Sequence, residues 1–258
     1  MNTRKRRSHR AAVDVERTAS ELQMDARARL ARLFESSPLP QEQILFNLGL
    51  YTRSSLLVKF LVMHELYKRF APVPGLLVEF GTWWGQNLVL LENLRAIHEP
   101  FNKQRRIVGF DTFRGYKGFG AKDRLRGGDE FYGSGPRAKS HLAELLEVHE
   151  GMNVLGHLRG RHELVEGDIA RTAPAWFRKR PETTVAFAYF DLGLYKPTVS
   201  AMRSIRSHLV PGSILLLDEF TWEQTPGEAI AFKEVFAKVR YRMERCALYP
   251  SKTIVEIE

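Results

Sequence analysis

The chain has 258 residues, of which 44% are hydrophobic and 27% are charged, and its formal net charge is +9. These values are ordinary for a globular protein with one sizeable domain, and they exclude a wholly disordered chain, a collagen and a coiled coil. No apolar run reaches the roughly 18–20 residues of a membrane helix. The one cysteine, Cys246, excludes an intrachain disulfide and a CxxC metal site. We expect a cytoplasmic protein without a signal peptide, because no apolar segment follows the basic start.

Residues 1–10 form a basic tail that contains five Arg or Lys residues and no acidic residue. A tail of this kind is usually disordered and solvated. The same charge could bind nucleic acid, but affinity for phosphate is a generic property of basic segments. We therefore favour a solvated tail and do not expect nucleic acid as a partner.

Residues 11–75 form a predicted N-terminal helical unit. Hydrophobic residues recur at roughly helical spacing over residues 11–35 and again over Ser54–Phe70. Serine and proline residues from Ser36 to Pro40 end the first segment, and Pro72, Pro74 and Gly75 end the second. These helices could join two copies of the chain, and we expect a homodimer.

From Leu76 onward, short apolar runs alternate with helical stretches, which predicts a doubly wound α/β domain over residues 76–258. Most of the runs lack alternation, as expected for parallel strands that are buried on both faces. The predicted strands are Leu76–Phe80, Arg106–Phe110, His162–Val165, Val185–Phe190 and Ser213–Leu217. The predicted helices between them are Gln86–Ile97, Ser140–Glu150, Pro174–Arg180 and Thr198–Leu209. Arg240–Tyr249 and Thr253–Ile257 predict a closing antiparallel pair.

An acidic residue lies at the end of each predicted parallel strand, which is the edge where such sheets bind their ligands. The first, Glu79, precedes a turn from Gly81 to Gly85, whose G-x-x-x-G spacing differs from that of a dinucleotide pyrophosphate site. The others are Asp111, Asp168, Asp191 and the pair Asp218-Glu219. Each alone fits a turn or a helix cap equally well. Their coincidence at five strand ends favours a binding site.

The order of these motifs resembles that of class I S-adenosylmethionine-dependent methyltransferases, which have a Rossmann-like sheet. The motifs are Glu79-x-Gly81-x-x-x-Gly85, Gly109-Phe110-Asp111-Thr112-Phe113, Gly167-Asp168, Tyr189-Phe190-Asp191 and Leu217-Asp218-Glu219. Over about residues 45–258 the chain is similar, more narrowly, to the macrocin O-methyltransferase group and its deoxyhexose 3-O-methyltransferase relatives. Those proteins act on sugars in natural-product pathways, including antibiotic biosynthesis. The narrower likeness rests on Glu65-Leu66-Tyr67-Lys68, Trp84-Gly85-Gln86-Asn87, Tyr195 with Pro197-Thr198, and Pro226-Gly227-Glu228.

The resemblance implies S-adenosylmethionine as the cofactor. The Gly-rich turn would lie against its methionine part, Asp111 would hold the ribose hydroxyls, and Phe113 would flank the adenine. Arg53 stands where family members approach the cofactor carboxylate from the N-terminal unit. The full set of implied cofactor-binding residues is Arg53, Glu79, Gly81, Gly85, Asp111, Thr112, Phe113, Asp168 and Ile169.

The resemblance also implies a divalent cation such as Mg²⁺, held by Asp191, Asp218 and Glu219. Three carboxylates at one edge would repel one another, and a hard cation would relieve this repulsion and bind substrate hydroxyls. The chain departs from the family where relatives show Asp-x-Asp-x-Tyr, because Gly193 replaces the second acid, a candidate general base. The base candidates that remain are Asp191 and a histidine, such as His149 or His141.

The predicted function is methyl transfer from S-adenosylmethionine to a small natural-product substrate, at an oxygen of a sugar or sugar nucleotide. Two alternatives stay open. The basic tail would suit an RNA methyltransferase, although an Asn-Pro-Pro-Tyr-type motif is absent. Gly193 would suit a non-catalytic scaffold that keeps the fold.

Three further features lie near the predicted ligand edge. The segment Gly115–Gly135 is long, Gly-rich and charged, and it is either a lid or a surface loop. Trp222 would form a wall of the acceptor pocket. Of Trp83 and Trp84, we expect one to pack in the core.

Overall fold

The computed structural model describes residues 19–102, 104–124, 132–153 and 162–258. These residues form two compact units, one of residues 19–61 and one of residues 62–258. The basic tail and the first part of the predicted helix 11–35 lie outside the described residues. The division of the chain at residues 10 and 75 stays a prediction.

The first unit consists of short helices. These are α1 (Glu21–Glu35), α2 (Gln41–Ile44), a 3₁₀ helix (Leu45–Tyr51) and the start of α3 (Ser54–Phe70). Ser20 begins α1 with a capping box, because its hydroxyl accepts the Gln23 N–H and the Gln23 side chain accepts the Ser20 N–H. From the sequence we predict no helix between residue 35 and Ser54, because Pro38 and Pro40 interrupt the helical pattern there, and α2 is therefore an addition. Pro40 stands at the N-cap of α2, where its missing N–H costs no helical hydrogen bond.

The second unit is built on one seven-stranded sheet. The strands are β1 (Leu76–Phe80), β2 (Ile107–Asp111), β3 (Glu163–Glu166), β4 (Val185–Phe190), β5 (Leu209–Leu217), β6 (Tyr241–Arg245) and β7 (Thr253–Ile257). Their order is β3-β2-β1-β4-β5-β7-β6, in which β1 to β5 are parallel and β7 is antiparallel to both neighbours. This topology confirms the predicted Rossmann-like sheet with a C-terminal antiparallel pair.

Helices cover both faces of this sheet. They are the C-terminal half of α3, α4 (Gln86–His98), α5 (Ala138–Asn153), α6 (Ile169–Arg178), α7 (Tyr195–Ile205) and α8 (Gly227–Phe236). Phe80 lies in the core under α6, α7 and α8, where it stacks on Phe110 and Phe190 at 5.0 and 5.1 Å between ring centroids. On the other face, Phe70 of α3 stacks on Phe187 at 4.8 Å. No helix within the described ranges is long and apolar enough to cross a bilayer.

Some predicted boundaries are wrong by several residues. The helix that we predict from Pro174 begins five residues earlier, because Asp168 caps it and its carboxylate accepts the Ala170 N–H at 3.0 Å. Pro174 removes the hydrogen bond to the Ala170 carbonyl, and the Ser200 hydroxyl donates to that carbonyl instead. Helix α8 was not predicted, because Pro226 and Gly227 read as a turn.

Candidate active site

The turn between β1 and α4 brings the backbone of two strand ends close together. Gly81 has a φ of +90°, and a Cβ there would lie 1.9 Å from the carbonyl oxygen of Asp191. Gly85 has a φ of +79°, and its Cβ would lie 2.2 Å from the side chain of Leu142. Only glycine fits both positions. The turn predicted to hold the cofactor therefore lies against the end of β4.

Glu79 lies beneath this turn, almost fully buried on the face of the sheet that α4 covers. The Asn87 side chain, in the first turn of α4, donates to its Oε1 at 2.5 Å. A buried carboxylate that is held in this way fixes the first turn of α4 relative to β1. Its predicted contact with the methionine part of the cofactor stays a prediction.

Asp111 joins the turns that follow β1 and β2. Its Oδ2 accepts the Trp83 N–H at 2.8 Å, and its Oδ1 accepts the Phe113 N–H at 2.6 Å. Trp83 and Phe113 have φ values of 49° and 53°, which is uncommon for large side chains. Burial raises the pKa of Asp111, and these hydrogen bonds oppose that rise. The carboxylate thus stabilises two strained turns at the predicted ribose position.

We predict that Asp111→Asn weakens binding of S-adenosylhomocysteine about 10- to 100-fold, the scale of a lost charged hydrogen bond of about 1–3 kcal/mol. Asn keeps the shape of the side chain but loses the charge that ribose hydroxyls would contact, and its amide nitrogen replaces one of the two oxygens that accept backbone N–H groups. Calorimetric titration measures the affinity, with Asp25→Asn, an exposed change in α1, as the control. Equal affinity for the variant and the wild type would show that the ribose lies elsewhere.

A cavity of about 420 Å³ lies beyond the ends of β2 and β3. Its size is in the range of ligand pockets. It is lined by Thr112, Arg114, Lys117, Lys139, Glu166 and Gly167. Phe113 and Ile169, which are also predicted at the adenine, follow the lining residues Thr112 and Gly167 closely in sequence and are buried. Asp168, the third such residue, caps α6. Of the residues that line the cavity, Thr112 is a predicted cofactor residue. The position of the cofactor and the contacts of these single residues stay predictions.

The acids after β4 and β5 form a cluster, as the sequence predicts. Asp191, Asp218 and Glu219 each offer a carboxylate oxygen, and these oxygens lie within 4.8 Å of one another. Burial and the charge of Asp191 raise the pKa of Glu219 to about 7. We call Asp191, Asp218 and Glu219 the carboxylate cluster.

A fourth carboxyl group, Glu228, lies beneath the carboxylate cluster. It is fully buried in the first turn of α8, and its Oε1 accepts the Glu219 N–H at 3.0 Å. Burial and the neighbouring Glu219 raise its pKa well above the ordinary value. Glu228 is part of the sequence motif Pro226-Gly227-Glu228. Because α8 is not predicted from the sequence, the position of Glu228 near the carboxylate cluster is not predicted either.

A buried lysine balances part of the charge of the carboxylate cluster. The Lys252 ammonium contacts Asp218 and donates to the Tyr189 hydroxyl at 2.6 Å, and that hydroxyl in turn donates to Asp218. Lys252 precedes β7, and the pairing of Leu217 with Thr253 places it opposite Asp218. In the sequence, Lys252 lies between the two strands of the predicted antiparallel pair, where no site role is predicted for it. The register of the predicted antiparallel pair was the signal that could have found it.

The donor set fits a hard divalent cation. The ligand atoms are carboxylate oxygens, which Mg²⁺ prefers, and they converge closely. Asp218 has two oxygens, so its contact with Lys252 at Oδ1 is compatible with a cation at the other. Asp191, Asp218 and Glu219 would be the ligands, and this assignment stays a prediction.

We predict that Glu219→Gln stabilises the protein at pH 8 but not at pH 4. The folded-state pKa of about 7 lies above the ordinary 4.5, so the favourable contribution of Glu219 is complete below pH 4.5 and is lost as the pH rises through 7. Gln stays neutral throughout, and we expect its free energy of unfolding at pH 8 to exceed the wild-type value by about 1–3 kcal/mol.

Urea unfolding at both pH values, in the presence of a chelator, measures this difference. The exposed Glu223→Gln is the control and should change the stability little at either pH. An equal difference between Glu219→Gln and wild type at pH 4 and pH 8 would show that Glu219 has an ordinary pKa.

Two other predicted site residues, His149 and Arg53, belong to elements that do not carry the carboxylate cluster. His149 lies in α5, where its Nδ1 is 3.3 Å from the Asn93 side chain of α4. Its predicted role as a base gains no support from this contact. Arg53 belongs to the first unit, where its carbonyl accepts N–H groups of the first turn of α3. Its contact with the cofactor stays a prediction.

The tryptophans near the site are exposed. About half of the side-chain surface of Trp83 and of Trp84 is accessible, so the expectation that one of them packs in the core is wrong. The strained φ of Trp83, which Asp111 stabilises, turns its side chain out of the core. Trp222 is 42% exposed after β5, and its place at the acceptor stays a prediction.

The described part of the Gly115–Gly135 segment crosses the ligand edge of the sheet, from the end of β2 to the start of α7. Asp123 accepts the Tyr195 N–H at 2.7 Å, and Lys122 pairs with Glu234 at 2.5 Å. Tyr116 lies beside Gly193, near Asp191 and Glu219. Residues 125–131 lie outside the described residues. We call residues 115–124 the crossing loop.

Comparison with known proteins shows the family to which the chain belongs. The model of a family described as a methyltransferase domain matches residues 78–220, which include the turn after β1 and the carboxylate cluster. The chain belongs to this methyltransferase family. It is an S-adenosylmethionine-dependent O-methyltransferase with the Rossmann-like fold, and S-adenosylmethionine is its cofactor.

Two solved structures of the calicheamicin methyltransferase CalS11 are similar to this methyltransferase. The first has 34% sequence identity and a TM-score of 0.86, and the match covers 93% of this chain and 94% of CalS11. The second, an apo structure described as a TDP-rhamnose 3′-O-methyltransferase of calicheamicin biosynthesis, has 33% identity, a TM-score of 0.81 and coverage of 93% and 96%. The O-methyltransferase NovP, at 18% identity, a TM-score of 0.55 and coverage of 78% and 79%, shares the fold. No curated protein sequence matches closely enough to count as a relative.

Proposed function

We propose that this methyltransferase methylates a hydroxyl group of a nucleotide-linked deoxysugar in a natural-product pathway. The observation that carries the proposal is the position of the carboxylate cluster. Gly81 of the turn predicted to bind the cofactor lies directly against Asp191, so a hydroxyl held by these acids lies beside the expected methyl donor. The likeness to CalS11, a TDP-rhamnose methyltransferase, supports the sugar class.

The reaction is a direct transfer. The sulfur–methyl bond breaks, the acceptor oxygen forms a bond to the methyl group, and the acceptor proton leaves to a base. We assign this base to Asp191, whose backbone carbonyl lies against Gly81 of the turn after β1. Lys252 and Tyr189 hold Asp218 in place, and Glu228 holds the backbone of Glu219. When bound, Mg²⁺ would orient substrate hydroxyls and stabilise negative charge on the reacting oxygen.

The test is an assay with S-adenosylmethionine and TDP-rhamnose, read by formation of S-adenosylhomocysteine and by the mass of the methylated product. The assay is run with Mg²⁺ and with a chelator. A product that is heavier by one methyl group supports the proposal. Cofactor binding without turnover of any nucleotide sugar would remove the sugar class, and turnover of no acceptor at all would favour a non-catalytic scaffold.

We also propose that the protein acts in the cytoplasm as a homodimer. Nucleotide sugars and S-adenosylmethionine are metabolites of that compartment. For the dimer, no side chain of α1, α2 or the 3₁₀ helix is buried, although these elements carry large apolar residues such as Leu45 and Phe46. A second copy would cover such a surface. Light scattering should give about twice the chain mass, and a monomer at all concentrations would exclude the dimer.

A further inference from the structure

The space beside Gly193 is filled by a side chain from the crossing loop. Gly193 has a φ of +61°, and a Cβ at this position would lie 2.8 Å from the Tyr116 hydroxyl and 3.3 Å from Glu219 Oε2. The Tyr116 hydroxyl and the Glu219 carboxylate therefore flank the same point. Because Gly193 has no side chain, the hydroxyl can lie at this point, on the Glu219 side of the carboxylate cluster.

The ring of Tyr116 is held by two edge-on aromatic contacts. Its centroid is 6.0 Å from that of Phe119 and 5.7 Å from that of Tyr132, with interplanar angles of 85° and 81°. Tyr132 in turn contacts Trp83, of the turn after β1, at 5.7 Å. This aromatic row runs from the turn predicted to bind the cofactor to the carboxylate cluster. The hydroxyl is thus fixed by packing of the ring, which a phenylalanine would keep.

The chemistry of the carboxylate cluster leaves a need for such a hydroxyl. Carboxylates that are ionised or that hold a cation only accept hydrogen bonds, so in that state the carboxylate cluster binds the O–H groups of a sugar but cannot donate to its oxygens. A sugar carries several adjacent hydroxyls, each of which both donates and accepts. A phenol among the acids supplies the missing donor and fixes which oxygen faces the base.

We propose that Tyr116 binds the acceptor, with its hydroxyl hydrogen-bonded to a sugar oxygen next to the one that is methylated. This inference rests on the proposed function. Tyr116 acts with Gly193 as a pair, because the glycine provides the space and the tyrosine fills it. We assign neither residue a role in holding the cofactor.

The test compares Tyr116→Phe with wild type in the TDP-rhamnose assay, together with calorimetric titration of S-adenosylhomocysteine. We expect kcat/KM for the sugar nucleotide to fall about tenfold or more, mainly through KM, the effect of one lost hydrogen bond to substrate. The affinity for S-adenosylhomocysteine should stay within about twofold of wild type, since only acceptor binding is lost. Tyr195→Phe is the matched control, because its hydroxyl bonds Glu234 at the other end of the crossing loop.

A double-mutant cycle tests the pair directly. Gly193→Ala places a methyl group against the Tyr116 hydroxyl, and we expect it to lower kcat/KM more in the wild type than in the Tyr116→Phe background. The backbone strain of alanine at a φ of +61° and the contact with Glu219 remain in both backgrounds, so the contact with the hydroxyl is measured by the difference between them. If the fold-losses of kcat/KM in the two single variants simply multiply in the double variant, the proposed contact between Tyr116 and residue 193 is wrong. If wild type methylates the sugar nucleotide and Tyr116→Phe matches it, this inference alone fails. If wild type methylates no nucleotide sugar, the proposed function fails and the inference falls with it.

Discussion

Asp191→Asn is expected to lower kcat about 10²–10⁴-fold, the usual contribution of a general base, while the affinity for S-adenosylhomocysteine stays unchanged. Asn keeps the shape of the side chain and the backbone hydrogen bond from the residue 191 N–H to the Phe80 carbonyl. It removes the charge that accepts the acceptor proton. The loss should therefore fall on the chemical step rather than on cofactor binding.

Single-turnover kinetics with a saturating sugar nucleotide would measure the chemical step, and calorimetry would measure cofactor affinity. Asp25→Asn in α1 again serves as the control. Turnover of Asp191→Asn at the wild-type rate would exclude Asp191 as the base. Equal loss of turnover and of cofactor binding would instead place the residue among the groups that hold the cofactor.

Gly81→Ala is expected to destabilise the protein by about 4 kcal/mol or more, at the upper end of single substitutions. The added Cβ would overlap the Asp191 carbonyl oxygen, a backbone atom that cannot rotate away. Both sides of this contact are fixed, because the Gly81 N–H donates to Phe110 and the Asp191 N–H to Phe80. The φ of +90° adds backbone strain for alanine.

Urea unfolding followed by circular dichroism measures this loss. Gly151→Ala is the matched control, because Gly151 lies in α5 and, among the described residues outside its own helix backbone, no atom lies within 4 Å of the added Cβ. Alanine there should raise the stability by up to about 1 kcal/mol through its helix propensity. A Gly81→Ala variant that unfolds like the wild type would show that the turn is not as tight as described.

The parallel sheet was predictable because its strands are buried on both faces. Val185–Phe190 is a continuous apolar run, and Leu76–Phe80 is one except for Glu79. Both strands have the predicted bounds. The convergence of Asp191, Asp218 and Glu219 was predictable for the same reason, because parallel strands end at one edge. Sequence order and strand direction suffice for this part of the site.

The residues that come from other elements were not predictable in the same way. Glu228 depends on α8, whose start at Pro226-Gly227 has the sequence of a turn. Tyr116 reaches Gly193 because the crossing loop is anchored by Asp123, a contact between residues 72 positions apart. Local sequence contains no signal for such a contact, since it depends on where the loop lies after the sheet has formed.

The anchoring of the crossing loop by Asp123 has a consequence for how acceptor preference could diverge. The sheet supplies the acids, whereas the loop supplies Tyr116, and the two parts meet only at the ligand edge. The Asp123 carboxylate caps the first turn of α7. This contact fixes the C-terminal end of the crossing loop whatever residues stand at positions 115–122. Exchange of residues 115–122 between related enzymes could therefore change which acceptor is bound without changing the sheet, provided that Asp123 is retained.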